Sequence, residues 1–355
     1  MIPNFFYHPR MMSYDFGPQH PLKPIRLART IELLRSIEPT LVCLDPGLAD
    51  RADMRLVHDD SYLEVVECLS RGQRIPPEVK MSYGFGSVDT PAFLGMYEAA
   101  LAYCGGTVRA AQAILSGEQL AFGIGGGLHH AMRDKASGFC VFDDPAIALS
   151  ILKLRYSRLM YVDIDLHHGD GVQALFLDDP DVLTFSIHES GRTLYPGTGF
   201  VEETGAGGAV VNIPLDAHTT GDVWIWAFEE VFLSTLDWFK PDAIVLQMGC
   251  DAHLNDPLGH LRVRVQEWLR AVEVVRDAGL PIVAVGGGGY ELANVPRMWA
   301  AAVLTLCGLE VPEVAPECIP VEWGVGRIFD PDLGESGMGR HSAEQVVDYW
   351  RSRRV

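Results

Sequence analysis

Six short runs of β-branched and aliphatic residues punctuate the chain between residues 120 and 285: LAFGIG (120–125), RLMYVDI (158–164), VLTFSI (182–187), AVVNI (209–213), AIVLQM (243–248) and LPIVAV (280–285). None alternates apolar with polar as a strand with one wet face does, so each reads as a strand buried on both faces. Helix-length stretches at 143–155, 169–178, 222–239 and 261–278 separate several of them. This alternation predicts an α/β fold, a central mostly parallel β-sheet flanked by helices on both faces. Further helices are expected at 92–116 and at 24–37, the second opening just after a proline.

The 355 residues, nearly half of them apolar, suffice for one large α/β domain or two modest ones. No repeat or linker interrupts residues 1–310. The proline-bearing stretch 311–321 marks a composition shift, so 311–355 is read as a C-terminal extension. An amphipathic helix at 342–353 is expected to pack it on the body of the domain through Val346, Val347 and Trp350.

No stretch reaches the ~18 consecutive apolar residues of a membrane span, and MIPNFFYHPRMM lacks the pattern of a signal peptide. The seven cysteines, at 43, 68, 104, 140, 250, 307 and 318, form no C-x-x-C pair and suggest neither a disulfide framework nor a cysteine zinc site. A cytoplasmic protein without a membrane partner is expected. The formal charge of −19 disfavours a nucleic-acid partner, because phosphate neutralisation needs a basic surface.

Polar residues gather where the apolar runs end: GGGLHH (125–130), DIDLHHGD (163–170), SIHESG (186–191), CDAH (250–253) and GGGGY (286–290). That edge of an open α/β sheet is where ligand crevices form, so these distant segments are expected to converge. Alternation along a strand puts Asp163, Asp165 and His167 on one side, with Ile164 and Leu166 on the other. An extended Asp-x-His pair can offer a carboxylate oxygen and an imidazole nitrogen to one cation. Asp251 from a neighbouring strand supplies a third ligand and leaves the open position that catalysis requires. The bland alternative is a hydrogen-bonded network or a solvated edge, but so many ionisable groups ending an apolar strand are costly without a cation.

His129 and His130 read as further ligands, as a general base, or as one buried and one exposed histidine. Beside a metal-activated water, neutral imidazole is well placed to take a proton and return it to a leaving amine. Asp163 and Asp170 can orient these rings, though spacing does not say which serves which. In GGGGY the glycines let backbone approach a ligand, and Tyr290 can offer its hydroxyl to an oxyanion. A phosphate loop is the competing reading, without the Lys-Ser/Thr of a Walker motif.

Taken together and in order, GGGLHHAMRDKASGFC, YVDIDLHHGDGV, FSIHESGRTLYPGTG, QMGCDAH and VGGGGYELANVPRMW resemble the histone deacetylase family, and within it the bacterial acetoin-utilisation deacetylases. The resemblance begins at YHPRMMSYDFGPQHPLKPIRL and runs to about residue 310. It implies an arginase/deacetylase-like fold, a catalytic domain over 1–310, and zinc-dependent removal of acetyl groups from protein lysines. It implies Asp165, His167 and Asp251 as zinc ligands and Tyr290 as the hydroxyl that polarises the substrate carbonyl. His130 would be the general base and acid beside His129, with Asp163 behind His129 and Asp170 behind His130.

The same resemblance places Phe139 and Tyr195 along an acyl-lysine tunnel, with Gly138 at a close passage, Leu258 at the rim, and Asp89 on the substrate backbone. Arg26 would border an acetate channel beneath the metal. The main-chain oxygens of Asp163, Asp165, His167 and Ile187 with the Ser186 hydroxyl would form one potassium site, and Phe176, Asp179 and Val182 a second. The ligand set also tolerates iron(II) or cobalt(II). The implied partner is an acetylated protein, such as an acyl-CoA synthetase; oligomeric state is not addressed by the sequence.

Three other readings compete. A ureohydrolase needs two adjacent metals, yet Gly169 and His253 stand where further carboxylates would bridge them. An acetylpolyamine hydrolase would favour an acidic rim, and Leu258 stands there instead. A non-catalytic acyl-lysine binding protein would be expected to have lost a ligand or base, and none is lost.

Overall fold

Each of the six apolar runs forms a strand, and all lie in one sheet. The structure, a computed structural model, describes residues 2–334 and 336–353. In chain order the strands are β1 (Phe5–Phe6), β2 (Cys43–Leu44), β3 (Leu120–Gly123), β4 (Leu159–Asp163), β5 (Val182–Glu189), β6 (Val210–Leu215), β7 (Ala243–Gln247) and β8 (Ile282–Val285). The helices are α1 (Ile25–Ile37), α2 (Arg51–Met54), α3 (Asp60–Ser70), α4 (Pro77–Ser82), α5 (Met96–Leu115), α6 (Asp144–Leu152), α7 (Asp170–Phe176), α8 (Gly221–Phe239), α9 (Val265–Asp277), α10 (Asn294–Leu306) and α11 (Arg340–Arg353).

The sheet order is β2-β1-β3-β8-β7-β4-β5-β6 and every pairing is parallel. Alternation along the central strands sends side chains to opposite layers. Met160, Val162, Leu183, Phe185, Ile244 and Leu246 join a core with α8, α9 and α10, whereas Leu159, Tyr161, Val245, Val283 and Val285 pack towards α5 and α6. Both faces are therefore dry, which is why the runs show no polar alternation.

Strands β1 and β2 have two residues each, too few to carry a periodicity. Helix α10 is hidden for a different reason: all its residues are buried, so it has no polar stripe by which to be recognised. The last helix, α11, buries Val347 and Trp350 against α8 and β6, and the Trp350 indole donates to the Asn212 carbonyl at 2.8 Å. Val346 is half-buried at the same contact. Among the described residues, no helix is long and apolar enough to cross a membrane.

The sheet order positions the site. After β3 the chain crosses two strand positions to β4, builds outward through β5 and β6, then returns with β7 and β8 to fill the gap. Connections leave the C-terminal ends of the neighbouring strands β4 and β7 in opposite directions, to β5 on one side and to β8 on the other, which opens a crevice above β4 and β7.

Candidate metal centre and active site

The loop after β4 carries the central residues of this crevice. The strand ends at Asp163, so Asp165 and His167 lie beyond it, which corrects the expectation that strand alternation presents all three. Side-chain bonds bend the chain instead. Asp163 Oδ1 accepts the Asp165 amide at 3.1 Å, and Asp165 Oδ1 accepts the His167 amide at 3.0 Å. These Asx-type turns keep the polar side chains together while Ile164 and Leu166 are fully buried in the core. Likewise the strand expected over 182–187 continues through His188 to Glu189.

Asp165, His167 and Asp251 each offer one ligand atom, and these atoms lie within 4.8 Å of one another, all on buried residues. His167 Nδ1 is 3.3 Å from Asp165 Oδ1 and 3.1 Å from Asp251 Oδ2. Ligands bound tetrahedrally at roughly 2.0–2.1 Å stand about 3.3 Å apart, so both carboxylate oxygens already stand at that spacing from the imidazole nitrogen.

Both carboxylate ligands are held from behind. Asp165 Oδ2 accepts Gln247 Nε2 and the Gly288 amide, both at 2.8 Å, and Asp251 Oδ1 accepts the Leu166 amide at 2.9 Å. A Cβ at Gly288 would lie 2.2 Å from Asp251 Oδ2, which accounts for glycine where β8 turns under the ligands.

Electrostatically the cluster has a surplus of carboxylate. Burial and the charge of Asp165 push the Asp251 carboxyl up to about 6. Burial alone would depress His167, but its bonds to Asp165 and Asp251 and their charges raise it to about 10. Two buried carboxylates thus draw a positive charge to the point they share with the imidazole.

Beside this cluster the paired histidines separate into two environments. His129 Nδ1 meets Asp163 Oδ2 at 2.7 Å, and that oxygen also accepts the Tyr161 hydroxyl at 2.7 Å. His130 Nδ1 meets Asp170 Oδ1 at 2.6 Å, at the first residue of α7. The two Nε2 atoms approach to 3.1 Å. Burial lowers His129, but Asp163 and Asp165 more than offset it and raise the ring to about 10; burial together with the charge of His129 lowers His130 to about 4. His130 is therefore the neutral ring of the pair.

A cavity of about 220 Å³ leads to His130 and His167 and is lined by Asp89, Gly138, Phe139, Leu194, Tyr195, Leu258 and Tyr290. Phe139 and Tyr290 meet edge to face at 5.6 Å, and Tyr195 lies 5.1 Å from His130, ring centre to ring centre. A Cβ on Gly138 would fall 2.3 Å from the His130 ring, so the chain passes there only as glycine. Asp89 is exposed at the mouth, with its carbonyl 3.0 Å from His20 Nε2. Burial and the charges of Asp251 and Asp165 drive the Tyr290 phenol well above its ordinary value, so its hydroxyl keeps its proton.

The remaining predicted residues lie around this core. Arg26 is buried, donates Nη1–H to the Gly289 carbonyl at 2.9 Å and stacks on Trp299 at 5.0 Å. Ser186 and Ile187 sit on β5, Ser186 paired in register with Asp163 and its hydroxyl 2.8 Å from His188 Nδ1. Phe176, Asp179 and Val182 form a tight turn after α7: the Asp179 amide donates to Phe176 at 3.0 Å and the Val182 amide to Asp179 at 3.3 Å. The Asp179 carboxylate pairs with Lys153.

Several contributors escaped sequence reasoning. Gln247 was visible as an amide ending an apolar strand. Asp256 bonds the Tyr290 amide at 2.7 Å, and Leu194 lines the cavity, but nothing in the spacing marks either.

Comparison with known proteins fits this geometry. Residues 20–306 match the histone deacetylase domain. The chain belongs to the histone deacetylase family. It is 42% identical over 333 residues to the acetoin utilization protein AcuC of Bacillus subtilis, covering 90% of this chain and 86% of that protein. It is 33% identical over 356 residues to histone deacetylase clr6 of Schizosaccharomyces pombe, covering 97% and 86%. Among solved structures, a histone deacetylase homologue from Aquifex aeolicus superposes with a TM-score of 0.89 at 27% identity, over 98% of this chain and 99% of that one. A histone deacetylase homologue complexed with SAHA superposes with a TM-score of 0.90 at the same identity. The eight-stranded parallel sheet is thus the family's fold, and the chain is a deacetylase-family hydrolase.

Proposed function

We propose that the protein is a zinc-dependent lysine deacetylase acting on acetylated proteins through the crevice above β4 and β7. The observation that carries this reading is the Asp165–His167–Asp251 cluster, with mutual spacings of 3.1–3.3 Å about His167 Nδ1, at the floor of a narrow cavity. These three side chains would hold the cation, and its donor set of two carboxylates and one imidazole suits zinc as well as iron(II) or cobalt(II). When bound, such a cation supplies Lewis acidity and lowers the pKa of water.

The protein's own groups supply the proton traffic. His130, neutral and oriented by Asp170, accepts a proton from the attacking water at Nε2 and delivers it to the departing lysine amine. His129, held protonated by Asp163, keeps the second ring from taking the resting positive charge. Tyr290 donates its hydroxyl to the oxygen that becomes negative as the acetamide carbon turns tetrahedral. Phe139 and Tyr195 flank the methylene stem of an acyl-lysine, and Asp89 at the mouth is placed to accept an amide of the substrate backbone.

In the same reading, the oxygens of Asp163, Asp165, His167, Ser186 and Ile187 hold one potassium ion and those of Phe176, Asp179 and Val182 another. At Gly169 a Cβ would lie 2.4 Å from Asp163 Oδ2, leaving no room for the carboxylate that a dinuclear ureohydrolase site would need there. The test is a panel of acetyl-lysine peptides, an acetylated acyl-CoA synthetase and acetylspermidine, on protein reconstituted with a single defined metal. Faster turnover of the lysine substrates is expected. Preference for acetylspermidine would move the assignment to small acetylated amines.

A further inference from the structure

A second buried ionisable cluster lies behind the metal centre, and one member comes from beyond the residues that match the family domain. His253 stands two residues after Asp251. Its Nδ1 accepts the Asn255 amide at 3.2 Å and Asn294 Nδ2 at 2.9 Å, and its Nε2 stands 3.0 Å from both Asp330 Oδ2 and Arg297 Nη2. Arg297 orients Asn294 by donating to its Oδ1 from Nε and Nη2 at 3.1 and 2.6 Å, and Nη2 also reaches Asp330 Oδ1 at 2.7 Å. Asp330 Oδ2 accepts the Val265 amide, the first of α9, at 2.8 Å.

The segment carrying Asp330 is itself pinned. Gln266 bonds both the carbonyl and the amide of Asp330, at 3.1 and 3.3 Å, and Arg297 Nη1 donates to the Ile328 carbonyl at 3.1 Å. One carboxylate thus ties the C-terminal segment to the starts of α9 and α10 and to His253. The loop that His253 anchors bears Asp251 at one end and Asp256 at the other. Asp256 in turn accepts the Tyr290 amide at 2.7 Å and the Leu258 amide at 3.0 Å. Movement of His253 is therefore felt at Asp251 and at the backbone of Tyr290.

We infer that Asp330 is a positioning residue for Asp251, acting through His253, so that the C-terminal segment forms part of the support of the metal centre. This rests on the reading of Asp165, His167 and Asp251 as metal ligands. Partners that orient metal ligands from behind typically set affinity by roughly 10–100-fold when removed. Asp330 acts one bond further out, so the lower end of that range is expected.

The experiment measures zinc affinity of metal-free protein by competition with a chromophoric chelator, with circular dichroism to check folding. Asp330→Ala removes the carboxylate; Asp330→Asn keeps its shape and an acceptor oxygen, so it serves where the alanine variant does not fold. Arg264→Ala is the control, because Arg264 bonds Asp332 of the same segment and Glu267 of the same helix without touching His253. Zinc binding about tenfold weaker in folded Asp330→Asn, with Arg264→Ala at the wild-type value, supports the inference. Wild-type affinity in Asp330→Asn overturns it, as does equal weakening in Arg264→Ala, which would reduce the effect to general loosening. Wild-type protein that binds no zinc overturns the metal reading itself, and with it this inference.

Discussion

Two buried polar clusters lie back to back in this protein, and they differ in how their charge is met. Around His253, the Asp330 carboxylate faces the Arg297 guanidinium, and both ring nitrogens have protein partners, Asn294 at Nδ1 and Asp330 with Arg297 at Nε2. Burial raises the Asp330 carboxyl, yet the bonds from His253 and the Val265 amide, with the charge of Arg297, hold it below the usual carboxylate range. Around His167, two carboxylates face one imidazole: burial raises Asp165, but His129, His167 and Gln247 hold it well below the usual carboxylate range, whereas Asp251 is pushed up. The first cluster is complete with protein atoms alone. The second is organised around a positive charge that its side chains do not fully supply, which distinguishes a binding site from a structural knot.

The largest effect expected from this contrast follows Asp251→Asn. Its oxygen can still accept the Leu166 amide, but a ligand charge is lost, so activity should fall to background in a peptide hydrolysis assay. Because the change also relieves carboxylate repulsion, the metal-free variant should melt no lower than metal-free wild type. A clear drop in that melting temperature would count against the surplus of charge.

The opposite outcome is expected for the balanced cluster. Arg297→Ala leaves the half-buried Asp330 carboxylate without its cation and should cost about 1–3 kcal/mol in a urea titration, with or without zinc. Tyr290→Phe touches neither cluster's charge. It should lower kcat by roughly two to three orders of magnitude while leaving metal content unchanged, as loss of an oxyanion donor does.

A milder test comes from His58, a third buried polar group of the self-satisfied kind. Its Nδ1–H donates to the Met132 carbonyl at 3.0 Å, and its Nε2 accepts the Asp143 amide at 3.0 Å. Burial depresses it to about 4. Between that value and the unfolded one near 6.5, the unfolded chain binds a proton that the folded protein refuses. Stability is therefore full above pH 6.5 and should fall by about 3 kcal/mol as pH drops to 4. His58→Gln should flatten that part of the stability profile.

The contrast also marks what could be read from sequence. Strand cores such as AIVLQM and the ligand-bearing DIDLHHGD are local patterns, and local patterns suffice for a parallel sheet and a cluster at its C-terminal edge. The route by which Asp165 and His167 reach that edge was not legible. Two Asx-type turns shape it, and they leave the same i, i+2 spacing as a strand. Asp330 and Asp256 were invisible for another reason. Asp330 acts through side chains 33 to 77 residues away and Asp256 reaches Tyr290 34 residues away, and a single acidic residue in a loop carries no sign of its destination. Helix α10 lacked an amphipathic stripe because every face of it is buried.

The central claim, that the unbalanced cluster holds one catalytic cation, is tested most directly by titrating metal-free protein with zinc while following hydrolysis of an acetyl-lysine peptide. Activity should rise linearly and level off at one zinc per chain. A plateau at two zinc ions per chain, or full activity without any metal, would contradict it.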